Sequence, residues 1–297
     1  MPKRFLIIIN PNSGMKRANK LLTDIVSVFN RAGYFTSVMV TDKRGAGKSY
    51  AKAYASQFDA LVAIGGDGTF NEVVSGLIES GVKIPVGYIP SGSTNDFASG
   101  IGLSKNILKA AKDITNEHII DIDVGSFNGR AFTYVASFGA FTEASYQTAQ
   151  SLKNSLGHLA YVLEGIKDVP SIMRSEKMKI VTDENVYEGD FIFGAISNST
   201  SLGGLLKINK KYVDISDGKL EILLIRKPNI PIDYAQIVYA LNSGEYAKCP
   251  QICFSSAKNI EIISDKKINW TLDGELECAK EKNEVKNISH AVQIFIP

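Results

Sequence analysis

Cysteine is scarce, and so are long apolar runs and any excess of one charge. The three cysteines, Cys249, Cys253 and Cys278, form neither a paired framework nor a Cys-x-x-Cys, so a disulfide-stapled scaffold is excluded. No apolar stretch reaches the roughly 18 residues of a membrane span. The run Phe5 to Ile9 behind Met1-Pro-Lys-Arg4 is too short for a signal peptide, and the expectation is a reducing cytosol. The sequons at Asn198 and Asn287 then read as chance. Lysine and arginine number 33 against 31 acidic residues, a near balance that argues against nucleic acid as the main partner. Low-complexity segments and repeats are missing too. What remains is the composition of a soluble globular protein, 297 residues long and 44% hydrophobic, enough for two domains and a large core.

The densest signal is Gly65-Gly66-Asp67-Gly68-Thr69-Phe70-Asn71-Glu72. The apolar run Asp59 to Ile64 before it suits a buried parallel strand, and Val73 to Ile78 after it has helical spacing. The glycines therefore sit at a strand-to-helix turn. They permit positive φ and leave no Cβ between backbone amides and a ligand. Amides at a helix start, with the dipole behind them, bind anions. Asp67 would repel a bare phosphate, so it implies one that arrives with Mg²⁺. Asn71 and Glu72 are expected in the first helical turn, where an acid complements the dipole. A solvated glycine turn is the plain alternative, and the strand before and helix after weigh against it.

Two further loops share this character. Phe5 to Ile9 reads as the first strand, closed by Asn10-Pro11-Asn12-Ser13-Gly14 and followed by a basic helix from about Lys16. Tyr34 to Val40 is a strand ending at Thr41, and Ile84 to Ile89 a strand closed by Pro90 to Ala98, with Ser91, Ser93 and Thr94 as hydroxyls. Three polar glycine loops after successive strands define a nucleotide cleft, since ligands of open α/β sheets collect beyond the carboxyl ends of the strands. Gly45-Ala-Gly-Lys-Ser49 imitates a P-loop, but Asp42 stands where its first glycine belongs. It reads as the start of a helix with Lys48 and Lys52 on a solvated face.

From Asp121 to Gly125 onward, strand-like runs dominate: Ala131 to Phe138, Met178 to Val181, Asp190 to Ser197, Lys219 to Arg226, Asn259 to Ile263, Lys267 to Leu272 and Ala291 to Ile296. Helices are expected at about 142 to 168 and 231 to 242. The first of these reads as a cover over the sheet through Leu152, Leu156, Leu159, Val162 and Ile166. The fold class is thus α/β in two domains: an N-terminal three-layer α/β nucleotide-binding domain, 1–125, and a C-terminal antiparallel β-sandwich-like domain, 126–289. The last strand, 290–297, is able to return to the first.

Asn10 to Gly14, Gly65 to Glu72, Pro90 to Ala98, Asp121 to Gly125, Asp217-Gly-Lys-Leu220 and Asp273-Gly-Glu275 together make the chain resemble the diacylglycerol kinase catalytic-domain family. The likeness is to its soluble bacterial lipid kinases, similar also to sphingosine kinases and to the NAD kinase-like fold. The resemblance implies ATP as phosphoryl donor and an active site in the cleft between the domains. It places the nucleotide on Asn10, Pro11, Asn12, Ser13, Gly14, Thr41, Gly65, Gly66, Asp67, Gly68, Thr69, Phe70, Asn71 and Ser93. A structural or regulatory Mg²⁺ site falls on Asp214, Asp217 and Lys219, the outer two through backbone carbonyls. Glu275 becomes the general base, and Asp67 organises catalytic Mg²⁺ with Asp96 or Asp123 in support. Ser93 stands where threonine is usual, and 207–213 lacks a common proline-alanine pair.

The implied reaction is transfer from ATP to the primary hydroxyl of a glycerolipid, most simply diacylglycerol to phosphatidate. Phosphatidylglycerol, a sphingoid base, a polyprenol and NAD stay open as acceptors, as does a non-catalytic nucleotide- or lipid-binding protein. A cytoplasmic protein would meet its lipid at the membrane surface, with Lys207, Lys210 and Lys211 as headgroup contacts. An edge strand of the β domain is available to pair with a second copy. Taken alone, Asp273 and Glu275 read as a hairpin turn with solvated ends.

Overall fold

The computed structural model describes residues 2–139, 174–202 and 206–297. The helix expected at 142–168 lies outside them. The chain divides into two compact units, Met1–Val124 with Ile288–Pro297, and Gly125–Asn287. The fold is mixed, a parallel α/β unit and a mostly antiparallel β unit.

In the first unit the order is β1 (Arg4–Ile9), α1 (Arg17–Lys20), α2 (Leu22–Arg31), β2 (Phe35–Val40), α3 (Ala46–Tyr54), β3 (Ala60–Gly65), α4 (Asp67–Ser80), β4 (Val86–Pro90), α5 (Asp96–Ile101), α6 (Ile107–Thr115) and the start of β5 (Ile119–Phe127). Strands run parallel in the order β4-β3-β1-β2, and Ile294 of the chain's last strand lies parallel beside Val86 of β4. β1 and β3 are apolar at nearly every position because helices cover both faces of a parallel sheet. Phe5, Ile7, Ile9, Val62 and Ile64 pack with Ile25 and Phe29 of α2 in one buried cluster. On α4, Phe70 stacks with Tyr88 and Phe97, with ring centroids 4.6 and 4.5 Å apart.

The second unit contains the end of β5, β6 (Arg130–Phe132), β7 (Val135–Gly139), β8 (Glu176–Thr182), β9 (Val186–Ser197) and the two-residue strands β10 (Ser201–Leu202) and β11 (Leu206–Lys207). It continues with β12 (Leu220–Arg226), α7 (Pro231–Ser243), β13 (Ile252–Ala257), β14 (Asn259–Ser264), β15 (Asn269–Leu272), β16 (Glu275–Cys278) and most of β17 (Lys282–Phe295). The neighbours β16-β15-β7-β9-β8-β14-β17 pair antiparallel, while β12 pairs with β9 and β13. Trp270 is the centre of this core, against Phe127 and Phe138 at 5.1 and 4.9 Å. No helix among the described residues is long and apolar enough to cross a membrane.

Candidate active site

Strand register builds the candidate site in the first unit. Ile9 lies opposite Val40 and Ile64, and Gly65 opposite Pro90. The segments that follow these strands therefore leave the sheet at one level, on its carboxyl edge. Backbone bonds extend the alignment past the strands: Asn10 N donates to Ile64 O at 2.9 Å, Thr41 N to Ile9 O at 2.9 Å and Ser91 N to Gly65 O at 2.7 Å.

Side chains and glycines then lock three loops together. Ser13 Oγ lies 2.8 Å from Ser91 Oγ and donates to Asn10 O at 3.0 Å. Asn10 Oδ1 accepts the amide of Asn12 at 3.0 Å, and its Nδ2 reaches Thr69 Oγ1 at 3.4 Å. Gly14 has φ +50°, and a Cβ there would collide with the carbonyl of Ser91. A Cβ on Gly92 would fall 2.5 Å from Gly66 Cα, and one on Gly65 would strike the Thr69 side chain.

None of Gly65, Gly66 and Gly68 has positive φ, contrary to the sequence expectation. Gly65 is glycine because the Thr69 side chain lies where a Cβ would be, while a Cβ on Gly66 would meet only Gly92 Cα, at 3.4 Å. Gly68 is different. A Cβ there meets nothing within 4 Å, so the fold itself does not demand glycine at that position. It lies in the first turn of α4, whose N-cap, Gly66, supplies no capping side chain. This leaves the helix start suited to an anion.

Asp67 is buried and anchors the neighbouring loop. Its Oδ2 accepts the amide of Asp96 at 2.9 Å and the hydroxyl of Thr94 at 3.4 Å, and its Oδ1 accepts the amide of Phe97 at 3.1 Å. The residue read as a metal-organising carboxylate is thus also the cap of α5. Asn95, at φ +53°, holds the same loop by accepting Gly92 N at 2.8 Å and donating to Gly92 O at 2.9 Å. Ser93 and Asn12 are exposed and Pro11 is half-buried. Thr41 is buried, its hydroxyl 3.4 Å from Ile9 O. Phe70 gives its ring to the core and its amide to Gly66 O, while the Oδ1 of Asn71 accepts from Ser75 at 3.4 Å. Asp123 is fully buried and accepts the amide of His290 at 2.7 Å.

Glu72 corrects another expectation. Because α4 begins at Asp67, that residue is the first-turn acid and Glu72 lies beyond it. The Glu72 carboxylate instead accepts the amides of Gly45 at 2.6 Å and Gly47 at 3.0 Å. These are amides of the P-loop imitation, and a carboxylate occupies them. Lys48 and Lys52 both bind Glu79, at 2.6 and 3.1 Å, and hold its carboxyl below the usual carboxylate range.

In the second unit, Asp273 and Gly274 form the turn between β15 and β16, with φ +49° and +82°. Positive φ at both central residues is what a two-residue hairpin loop of type I′ demands. Asp273 is not solvated. It accepts Thr133 N at 2.6 Å, Thr133 Oγ1 at 2.7 Å, and Tyr134 N and Val135 N at 3.0 Å each. Burial pushes its carboxyl above the ordinary range, and these donors pull the other way. Glu275, partly exposed, accepts Arg130 Nη2 at 2.6 Å, while Nη1 of the same guanidinium binds Glu277 at 2.5 Å. The bond spans 145 residues of sequence, so no local spacing signals Arg130. Asp214 turns back on Ser216, accepting its amide at 3.1 Å and hydroxyl at 3.0 Å, and Asp217 accepts Lys219 N at 2.9 Å. Among the described residues no three of His, Cys, Asp or Glu gather as a metal site.

The comparisons bear on both units. Residues 4–127 match the diacylglycerol kinase catalytic domain, and residues 135–295 match the YegS C-terminal NAD kinase beta sandwich-like domain. The chain is 32% identical to a diacylglycerol kinase of Staphylococcus epidermidis over 298 residues, 100% of this chain and 93% of that protein. It is 34% identical to the diacylglycerol kinase of Bacillus subtilis over 92% of this chain and 90% of the other. A Bacillus anthracis protein solved as a candidate diacylglycerol kinase superposes with a TM-score of 0.83 at 26% identity, covering 99% of this chain and 95% of its own.

Proposed function

The chain belongs to the diacylglycerol kinase family, and from that premise we propose that it phosphorylates the primary hydroxyl of a glycerolipid with ATP, converting diacylglycerol to phosphatidate. The observation that carries the reading is the meeting of the loops at Asn10–Gly14, Gly65–Thr69 and Ser91–Asn95 around an uncapped helix start. Such a surface suits phosphates, and phosphoryl transfer is mainly a matter of position and charge. In this reading the nucleotide contacts fall on the loop residues named from the resemblance, with Gly68 at the point of closest approach.

Mg²⁺ would be held by Asp67, supported by Asp96 or Asp123, and when bound supplies neutralisation of phosphate charge. The fit rests on Asp67, an acid buried at an amide-rich loop. A second site on Asp214, Asp217 and Lys219 belongs to the same proposal. The acceptor oxygen forms a bond to the γ-phosphorus as the bond to the ADP oxygen breaks, and the hydroxyl proton passes to an oxygen of Glu275. The protein works as a cytoplasmic, peripheral enzyme on a bilayer surface. One observation favours a second acceptor, NAD: the C-terminal match is to a domain described by its likeness to NAD kinase.

The test of the assigned base is Glu275→Gln. Its kcat is expected to fall by about 10²–10⁴ with ATP binding intact. A wild-type kcat would remove Glu275 from the mechanism.

A further inference from the structure

Helix α7 is apolar on both sides. Ile237 and Ala240 are buried, while Ile232 is 55% exposed, Tyr239 63% and Ile230, the residue before the helix, 54%. Ala235 and Gln236 complete the outer face, beside a shallow groove of about 320 Å³. The single charged residue of the helix, Asp233, is turned inward. It accepts the amides of Asn229 at 2.8 Å and Ile230 at 3.2 Å, which fixes the Ile230-Pro231-Ile232 corner in an outward position. A helix that is apolar all round is normally covered on all sides.

The surroundings say by what. In segments 208–212 and 227–248 the charged residues are Lys210, Lys211, Lys227, Lys248, the buried Asp233 and Glu245. Glu245 is engaged by Lys248 at 2.8 Å. Segment 210–212 is tied to the turn that follows the helix by Tyr212, whose ring lies 5.7 Å from that of Tyr246. An uncharged face rimmed by lysines complements an anionic surface. A second copy docked about a two-fold axis would set lysine against lysine.

Resting on the lipid-kinase reading, we infer that the outer face of α7 seats the protein on an anionic bilayer. Ile230 and Ile232 enter the boundary between headgroups and acyl chains, Tyr239 lies at headgroup level, and the lysines face lipid phosphates. The occupant is the membrane as a surface, which is separate from the lipid molecule that reacts.

The test is flotation of the full chain with phosphatidylcholine vesicles, with and without phosphatidylglycerol, beside two variants, Ile230→Asp/Ile232→Asp and Lys210→Glu/Lys211→Glu. The wild type is expected to float only with anionic vesicles and to be released by salt. Each variant is expected to lose at least about tenfold in partitioning. Phosphorylation of a short-chain, water-dispersed diacylglycerol should be unchanged in the isoleucine variant, which reports on folding and on the kinase reading separately. Equal flotation of wild type and both variants overturns the inference, as does failure of the wild type to float. A wild type that sediments as a dimer while the isoleucine variant is monomeric overturns it in favour of a second copy. Flotation without turnover of any lipid would leave the membrane face standing and sink the kinase reading.

Discussion

Arg130 grips Glu275 and Glu277 with the two arms of one guanidinium, at 2.6 and 2.5 Å. The two acids lie on the same face of β16, and β6 brings the arginine to them from far away in sequence. A base that must meet a hydroxyl proton works only in a narrow range of positions, and Arg130 restricts where Glu275, the proposed base, can point.

Removing that restraint should slow turnover without touching the nucleotide. Arg130→Ala is expected to lower kcat by about tenfold to a hundredfold with the KM for ATP unchanged. Arg130→Lys, which keeps the charge and loses the fork, should recover part of the loss. Equal kcat in all three proteins would show that Glu275 needs no such support.

The glycines of the two facing loops, Gly65–Gly68 and Ser91–Asn95, should separate by what surrounds them. Gly92→Ala, facing Gly66 Cα at 2.5 Å, is expected to cost about 1–3 kcal/mol of stability. Gly68→Ala has room and sits in a helix, so its melting temperature should hold or rise slightly. The KM for ATP should nevertheless rise about tenfold or more in Gly68→Ala, a loss of about 1.4 kcal/mol of binding. Thermal melts and ATP titration on the same two proteins decide it, and normal ATP kinetics in Gly68→Ala would move the phosphates elsewhere.

The P-loop imitation should prove silent. Lys48→Met removes one partly exposed partner of Glu79, and both stability and the KM for ATP should stay near wild type. Glu72→Gln weakens the cap on Gly45 and Gly47 and should cost about 1–3 kcal/mol on chemical denaturation. A large rise in the KM for ATP of Lys48→Met would contradict the assignment.

The parallel strands, their helices and the carboxyl-edge loops were legible in the sequence because each is a local pattern, an apolar run closed by glycine, proline and short polar residues. What the pattern did not carry is long-range pairing. Glu72 reads as a helix-dipole acid, and its true partners are amides 25 and 27 residues earlier. Asp273 reads as a solvated turn residue, and only folding brings Thr133 to Val135 over it. Arg130 carried no signal at all. The glycine loop was found for a partly wrong reason: tight contacts, rather than positive φ, require Gly65 and the facing Gly92.

The most direct test of the central claim is phosphoryl transfer itself. The purified protein would be incubated with Mg²⁺ and γ-labelled ATP over mixed micelles containing diacylglycerol, phosphatidylglycerol, a sphingoid base or a polyprenol, with NAD in a parallel tube. Label in phosphatidate, abolished by Glu275→Gln, is the predicted result. Label on NAD alone, or on none of these acceptors, would contradict it.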